Sequence, residues 1–241
     1  FTGSYVMAPL AIIFGGNQGQ KEKYLTQMSN NSIRIGVGFS QYIGARDNST
    51  IEINNNKISG RSLFVLDAKK ASHLMLSDAN GVIGLVSTNS SGVEIVELTA
   101  VDKTRSYSEI ILNNVDIDVL EQTMSSKDAI NKAVDGGRII LAADSIGASQ
   151  RLIDKAVAYS KERKQFGRVI GSFQAVKHMC AEMASDLEPC YALVWHAAYC
   201  FDNSPDEARL MACHAKSHVS EISKMIAKKA TEFMVEWDLQ T

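Results

Sequence analysis

The hydrophobic period of this chain changes once, and that change limits what it can fold into. Between Ser32 and about Asp118, apolar and polar residues alternate in short β-branched runs: SIRIGVGFS, KISGRSLFVLD, SHLMLSD, GVIGLVST, GVEIVEL and YSEIILNNV. A period of two marks strands with a buried face. Turn formers such as Asn54-Asn55-Asn56 and Asp78-Ala79-Asn80-Gly81 separate the runs. From Ser125 onward the period is helical, with Ile139, Ala142, Ala143, Ile146, Leu152, Ile153 and Val157 on an apolar face. The small residues Ala142, Ala143, Gly147 and Ala148 predict close helix approach. The chain before Ser32 reads as helical, with NQGQKEKYLTQM following Gly15-Gly16. The reading is an α+β fold. Residues 1–31 are a remnant of an N-terminal helical domain, residues 32–124 a middle β domain of sandwich or barrel type, and residues 125–241 a C-terminal helical bundle.

Within the bundle, a second helix is expected from Ser172 or Phe173 to about Phe201, kinked near Ser185 by Pro189. A third follows Ser204, with Pro205 at its first position and Asp206 and Glu207 in its first turn. With 241 residues, 45% of them hydrophobic, the chain can bury a sizeable core. A net charge of -2 and the lack of any long Lys/Arg run argue against a nucleic-acid surface. The apolar run Val6–Phe14 is broken by Pro9 and too short to span a bilayer, and no signal-peptide pattern precedes it. Cys180, Cys190, Cys200 and Cys213 all sit in helical patterns without a C-x-x-C pair, which reads as reduced thiols in a cytoplasmic protein. Three Asn-x-Ser/Thr matches, at Asn30, Asn48 and Asn89, read as polar turns.

RKQFGRVIGSFQAVKH, Arg163 to His178, interrupts the helical half. The pattern stops at Gly167, hesitates at Gly171 and restarts with Ser172 in an N-cap position. A new helix start leaves backbone N–H groups free, and Arg163 adds planar cationic donors. Gln174 sits in the first turn, and Phe166 and Phe173 supply flat apolar surface. Such a set suits a phosphate attached to a ring system, hence a nucleotide-like cofactor. A capped turn with Phe166 in the core is the plainer reading of the same residues.

The longer stretch YSKERKQFGRVIGSFQAVKHMCAEM resembles the acyl-CoA dehydrogenase family, whose pattern is Y-x-x-x-R-x-Q-F-G-x-x-I-x-x-F-Q. Tyr159, Arg163, Gln165, Phe166, Gly167, Ile170, Phe173 and Gln174 match it in order. GGNQGQKEKYLTQMSNNSIRIGVGFSQ, VDKTRSYSEIILNNVDI and VDGGRIILAADSIGASQ resemble further family segments, so the likeness covers nearly the whole chain. The resemblance implies a C-terminal four-helix-type bundle, an FAD cofactor and α,β-desaturation of an acyl-CoA thioester, with electrons leaving to an electron-transfer flavoprotein. It also implies that Arg163 and Phe166, with Gln174, meet the FAD of a neighbouring subunit in a homo- or hetero-oligomer, a dimer of dimers. Flavin-side contacts in the β domain then fall on Val37, Phe39 and Ser40 and on Phe64, Val65 and Leu66. Asp135 and Arg138 face the substrate thioester and CoA arm.

This chain departs from the family in three places. The family's T-E-P-G-A-G-S-D is here SQYIGARDNS, with Gln41 in place of Glu, and FVLD puts Leu66 where a hydroxyl is usual. The residue before Arg138, where some relatives carry the base, is Gly137, and no catalytic base is visible in this chain. The family's Q-x-H-G-G-x-G is missing after Glu232, where FMVEWDLQT follows directly. The expectation is a sequence incomplete at both ends and around Glu232/Phe233. His214-x-x-x-His218, beside Cys213 and Glu221, has helical ligand spacing but reads as a packed or solvated pair, so no metal is expected. Glu182, Glu188 and Glu236 are carboxylates without a placed partner. Two functional classes remain. One is an active dehydrogenase of lipid or steroid side-chain catabolism. The other is a non-catalytic partner subunit that completes the FAD site of an active one. VDKTR, FQAVKH and EPCYALVWHAA lean towards bulky substrates such as steroid side-chain thioesters.

Overall fold

The computed structural model describes residues 1–44, 50–124 and 127–236. The chain divides into two compact units, Phe1–Gly137 and Arg138–Thr241. The first opens with a π-helical turn, Thr2–Met7, followed by α1 (Ala8–Gly15) and α2 (Gln18–Ser29). A reciprocal cap starts α2: Asn17 Oδ1 accepts the Gln20 N–H and Gln20 Oε1 accepts the Asn17 N–H. Eight strands follow, β1 (Ile35–Gly38), β2 (Glu52–Asn54), β3 (Lys57–Leu66), β4 (His73–Ser77), β5 (Ile83–Ser87), β6 (Val93–Leu98), β7 (Tyr107–Asp116) and β8 (Asp118–Val119). Every alternating run read from the sequence contains a strand. β2 and β8 are too short to show a period.

The strands form one open sheet in the order β6-β7-β3-β1-β4-β5-β8, with β2 paired to β3. The sandwich-or-barrel expectation is therefore corrected in one respect: the sheet does not close into a barrel. β1 lies antiparallel to β3, with Val37 opposite Leu66, and parallel to β4, with Ile35 opposite His73. Alternation explains how both faces are buried. Leu74 and Leu76 of β4 enter one apolar cluster with Val65 and Ile110, whereas Met75 between them enters another with Ile12, Tyr24 and Ile35. That second cluster also takes Ile130 and Ala133 from the start of α3 (Asp128–Glu162), so the N-terminal helices and the sheet share a core. Asn55 and Asn56, both left-handed at φ 49 and 57, close the β2–β3 hairpin.

A polar strap ties α2 to β8. The Tyr24 hydroxyl donates to Asp118 Oδ2 at 2.5 Å, and Gln20 Nε2 donates to Asp118 Oδ1 at 2.6 Å and to the Val119 carbonyl at 2.8 Å. Burial pushes the Asp118 carboxyl up, but the hydrogen bonds from Tyr24, Gln20 and Lys23 outweigh it and hold the group below the usual carboxylate range. Nearby His73 packs its ring edge-on to Tyr24, and burial, helped by the Lys23 charge, lowers its basicity from the ordinary value of 6.5. The unfolded chain then binds the His73 proton more readily than the folded one, so this group costs stability as pH falls through 6.5. The thermal midpoint of His73→Gln should fall less steeply between neutral and mildly acidic pH than that of the parent. Equal slopes would contradict the assignment.

The second unit comprises α3 from Arg138 onward, the hairpin β9 (Lys164–Gln165) and β10 (Arg168–Val169), α4 (Gln174–Asn203) and α5 (Pro205–Glu236). Among the described residues it holds three long helices rather than four. Ile146, Ile153, Met183, Leu187, Val219 and Ile226 fill its core. Ser149 and Ser223 meet across it, Oγ to Oγ at 2.9 Å. α4 continues through Pro189, and α5 runs uninterrupted across Glu232 and Phe233. Within this unit the small-residue stripe makes less contact than its pattern predicts: Ala143, Gly147 and Ala148 are exposed. A Cβ at Gly147 meets nothing within 4 Å. Gly147→Ala should thus stabilise the fold by about 1 kcal/mol through helix propensity alone, read by urea denaturation. A loss of stability would show that this face is covered.

Candidate functional site

The β1–β3 register brings the expected flavin contacts of the first unit together. Val37 of β1 pairs with Leu66 of β3; Phe39 and Ser40 follow the end of β1, and Phe64 and Val65 precede Leu66 on β3. The side chains of Val37, Phe39, Ser40 and Val65 are buried, at 2%, 3%, 6% and 0% exposure. At these positions backbone, not side chain, is what can be offered to a ligand. Phe64 differs. The β3–β7 pairing slips between Ser62 and Val65, and Phe64 sits in this bulge at φ 56 with its ring exposed. Gln41 also acquires a role: its Oε1 accepts the Ile51 N–H at 2.7 Å, while residues 45–49 lie outside the described residues.

The helix break is built as a closed loop. α3 ends with the Arg163 N–H on the Tyr159 carbonyl, and the Arg163 carbonyl accepts the Ile170 N–H, each at 2.9 Å. Between them β9 and β10 pair through a two-residue turn, Phe166 at φ 53 and Gly167 at φ 75. Ser172 is not the N-cap expected from sequence. Its hydroxyl donates to the Val169 carbonyl at 2.7 Å within a 3₁₀ turn. Phe173 takes the cap position, which leaves α4 with no side-chain cap. Phe173 packs edge-on to Phe166 at 6.1 Å and lies under the Arg168 guanidinium, 4.0 Å from the ring centre. Phe166 is 73% exposed, which corrects the plainer reading that placed it in the core. Gln174 is exposed and Arg163 half-buried.

Seven described non-glycine residues have positive φ: Asn31, Asn55, Asn56, Phe64, Asp67, Asn114 and Phe166. Asn and Asp adopt this conformation readily; a bulky aromatic does so at a cost of order 1–3 kcal/mol. Both phenylalanines are exposed, and both stand at positions expected to touch a flavin. Strain that presents an apolar ring to solvent is a mark of a binding site rather than of packing.

Asp135 and Arg138 lie three apart on α3, Asp135 buried and Arg138 half-buried. Gly137 between them has a local cause. A Cβ there lies 3.1 Å from Met7 Cγ and Sδ, so the glycine lets the Met7 side chain pack closely against α3. Of the loose carboxylates, Glu182 pairs with Lys229 Nζ at 2.7 Å, Glu188 is exposed and the Glu236 side chain lies outside the described residues. His214 and His218 form an edge-on ring pair at 6.3 Å.

Two features escape sequence reasoning. A cleft of about 620 Å³ in the first unit is lined by Arg34, Lys69, Lys70, Lys103 and Arg105, drawn from separate segments. The second is a cluster of His196, Cys200 and Glu207 at the α4–α5 junction. Its signal, His-x-x-x-Cys at a helix end with an acid in the next first turn, is legible only once the junction is known to be tight.

Residues 128–234 match the acyl-CoA dehydrogenase C-terminal domain family. Subunit CarC of the caffeyl-CoA reductase–Etf complex of Acetobacterium woodii is 44% identical over 101 residues, 42% of this chain and 26% of that protein. The short-chain-specific acyl-CoA dehydrogenase of Clostridium acetobutylicum is 26% identical over 238 residues, 90% of this chain and 62% of that protein. The helical half of the chain thus matches this family directly, and the chain as a whole is similar to acyl-CoA dehydrogenases at lower identity. A glutaryl-CoA dehydrogenase solved with glutaryl-CoA shares the fold, with a TM-score of 0.87 at 22% identity over 99% of this chain and 65% of that one. The matched part of this chain spans about a quarter to two thirds of the length of these relatives. None of its described helices is long and apolar enough to cross a membrane.

The family's helix break depends here on a close backbone approach. A Cβ at Gly171 falls 2.9 Å from the Ser160 carbonyl oxygen. Gly171→Ala should cost about 1–3 kcal/mol and lower the thermal midpoint. An unchanged midpoint would mean that the break is not held against α3.

Proposed function

We propose that this chain works as an FAD-dependent acyl-CoA dehydrogenase subunit. The observation that carries the reading is the pair of strained, exposed rings, Phe64 at the β3 bulge and Phe166 at the helix break. The residues fit the cofactor in a specific way. Backbone at Val37–Ser40 and Val65, with the Phe64 ring, offers one apolar and hydrogen-bonding edge. Arg163, Phe166 and Gln174 offer a cation, a ring and an amide to the cofactor of another subunit. Bound FAD supplies the hydride acceptor. Asp135 and Arg138 position the thioester and CoA arm of the substrate. An electron-transfer flavoprotein as electron acceptor, and a homo- or hetero-oligomer of dimer-of-dimers type, complete the reading. Lipid or steroid side-chain thioesters are the substrate class it favours.

One observation supports a second reading, the non-catalytic partner subunit of a heteromeric dehydrogenase. Position 137, where the family resemblance puts a base in some relatives, is glycine, and the Met7 side chain lies 3.1 Å from where its Cβ would stand.

Arg163→Ala removes a charge-assisted contact worth about 1.5–3 kcal/mol, so FAD affinity should fall roughly ten- to a hundredfold. Phe166→Asn should also weaken binding while suiting the left-handed backbone better, so its thermal midpoint without flavin should not fall. Flavin absorbance after reconstitution reads both. Undiminished flavin content in both variants would remove the cofactor assignment. Desaturation of acyl-CoA thioesters with an artificial electron acceptor separates the two readings: turnover by the chain alone supports the first, and turnover only with a partner supports the second.

A further inference from the structure

His196 and Cys200 are one helical turn apart at the end of α4, and Glu207 lies in the first turn of α5. The junction between them is short and well bonded. Ser204 alone separates the helices; its N–H donates to the Cys200 carbonyl at 2.9 Å, and its carbonyl accepts the Glu207 and Ala208 N–H groups at 3.0 Å. This geometry fixes all three side chains relative to one another. The Cys200 Sγ lies 3.6 Å from His196 Nε2 and 3.9 Å from Glu207 Oε2, and the three ligand atoms all fall within 4.8 Å of one another.

Those separations are close to what one cation requires. Sulfur at about 2.3 Å and nitrogen or oxygen at about 2.0–2.2 Å from a tetrahedral zinc stand roughly 3.5 Å apart. The two separations to sulfur need to tighten by at most a few tenths of an ångström, and the third, within 4.8 Å, closes as the two exposed side chains turn in. Cys200 is buried, while His196 and Glu207 are exposed, so the outer side is open to a water or a further ligand. A thiolate, an imidazole and a carboxylate together suit borderline-soft cations and not the all-oxygen chemistry of calcium or magnesium. Asp202 and Asp206 flank the cluster in sequence and add negative charge.

We infer that His196, Cys200 and Glu207 form a binding site for a divalent cation of the zinc class, clipping the end of α4 to the start of α5. On binding, the Cys200 thiol releases its proton to solvent. The sulfur, one ring nitrogen of neutral His196 and the Glu207 carboxylate each donate a pair to the cation. The cation then takes the place of the thiol proton; in the free cluster the sulfur lies 3.9 Å from Glu207 Oε2.

Cobalt(II) is the probe, added to the full chain after removal of metals with a chelator. One equivalent should produce the visible bands of four-coordinate cobalt with a near-ultraviolet thiolate charge-transfer band, displaced by zinc(II) and not by magnesium(II). Cys200→Ser should abolish the charge-transfer band. His196→Ala changes an exposed residue, so its fold is retained, and cobalt affinity should fall about tenfold or more. Cys213→Ser, next to the His214–His218 pair, should leave the spectrum unchanged. A titration without a thiolate band, or a band that survives in Cys200→Ser or is lost in Cys213→Ser, overturns the site and leaves only a thiol packed against a histidine ring.

Discussion

Strand β1 is four residues long and buried on both faces, and most of the first unit hangs on it. A strand so short gains little from its own hydrogen bonds. It is held because Ile35 and Val37 enter the cluster beneath α1 and α2 while both edges are occupied, one by β3 and the other by β4. The parallel pairing with β4 needs a long excursion of chain between them, and β2 and β3 are that excursion. The excursion delivers the bulge at Phe64 next to the end of β1. Double burial therefore does two things: it anchors the sheet, and it sets the candidate flavin edge where side chains can no longer reach out, so that backbone must do the recognition.

The two phenylalanines in left-handed backbone belong to different units and to unrelated local devices. Phe64 is placed by a slip in strand register, Phe166 by a two-residue hairpin between helices. Neither device calls for an aromatic. Asparagine or glycine satisfies such turns at lower cost, as Asn55 and Asn56 do on the β2–β3 hairpin. An exposed ring at each is a local conflict with folding rules, and such conflicts concentrate where binding sets the residue.

Two of this chain's departures from the family it resembles acquire structural accounts. Gln41 replaces an acid and spends its amide oxygen on the Ile51 N–H. Gly137 replaces a base position and lets the Met7 side chain lie against α3.

The sequence by itself determined the class of the fold. Period two across residues 32–118 and a helical period beyond 125 required strands and then helices, because each period is the burial geometry of one kind of backbone. It also determined the helix break, since Gly167 and Gly171 are poor helix residues and admit backbone that a side chain disfavours. The capping of α4 was not legible: Ser172 is a strong N-cap former, yet its hydroxyl turns back to Val169 because the 3₁₀ turn brings that carbonyl closer. Local propensity lost there to a contact set by the hairpin. Only the tertiary structure decided that the strands make one open sheet, that Val37 stands beside Leu66, and that Met7 packs against α3 at Gly137. It alone decided that His196, Cys200 and Glu207 converge. Each of these is a meeting of residues distant in the chain or separated by a helix junction. A hydrophobic period states which face of an element is buried and is silent about what it is buried against.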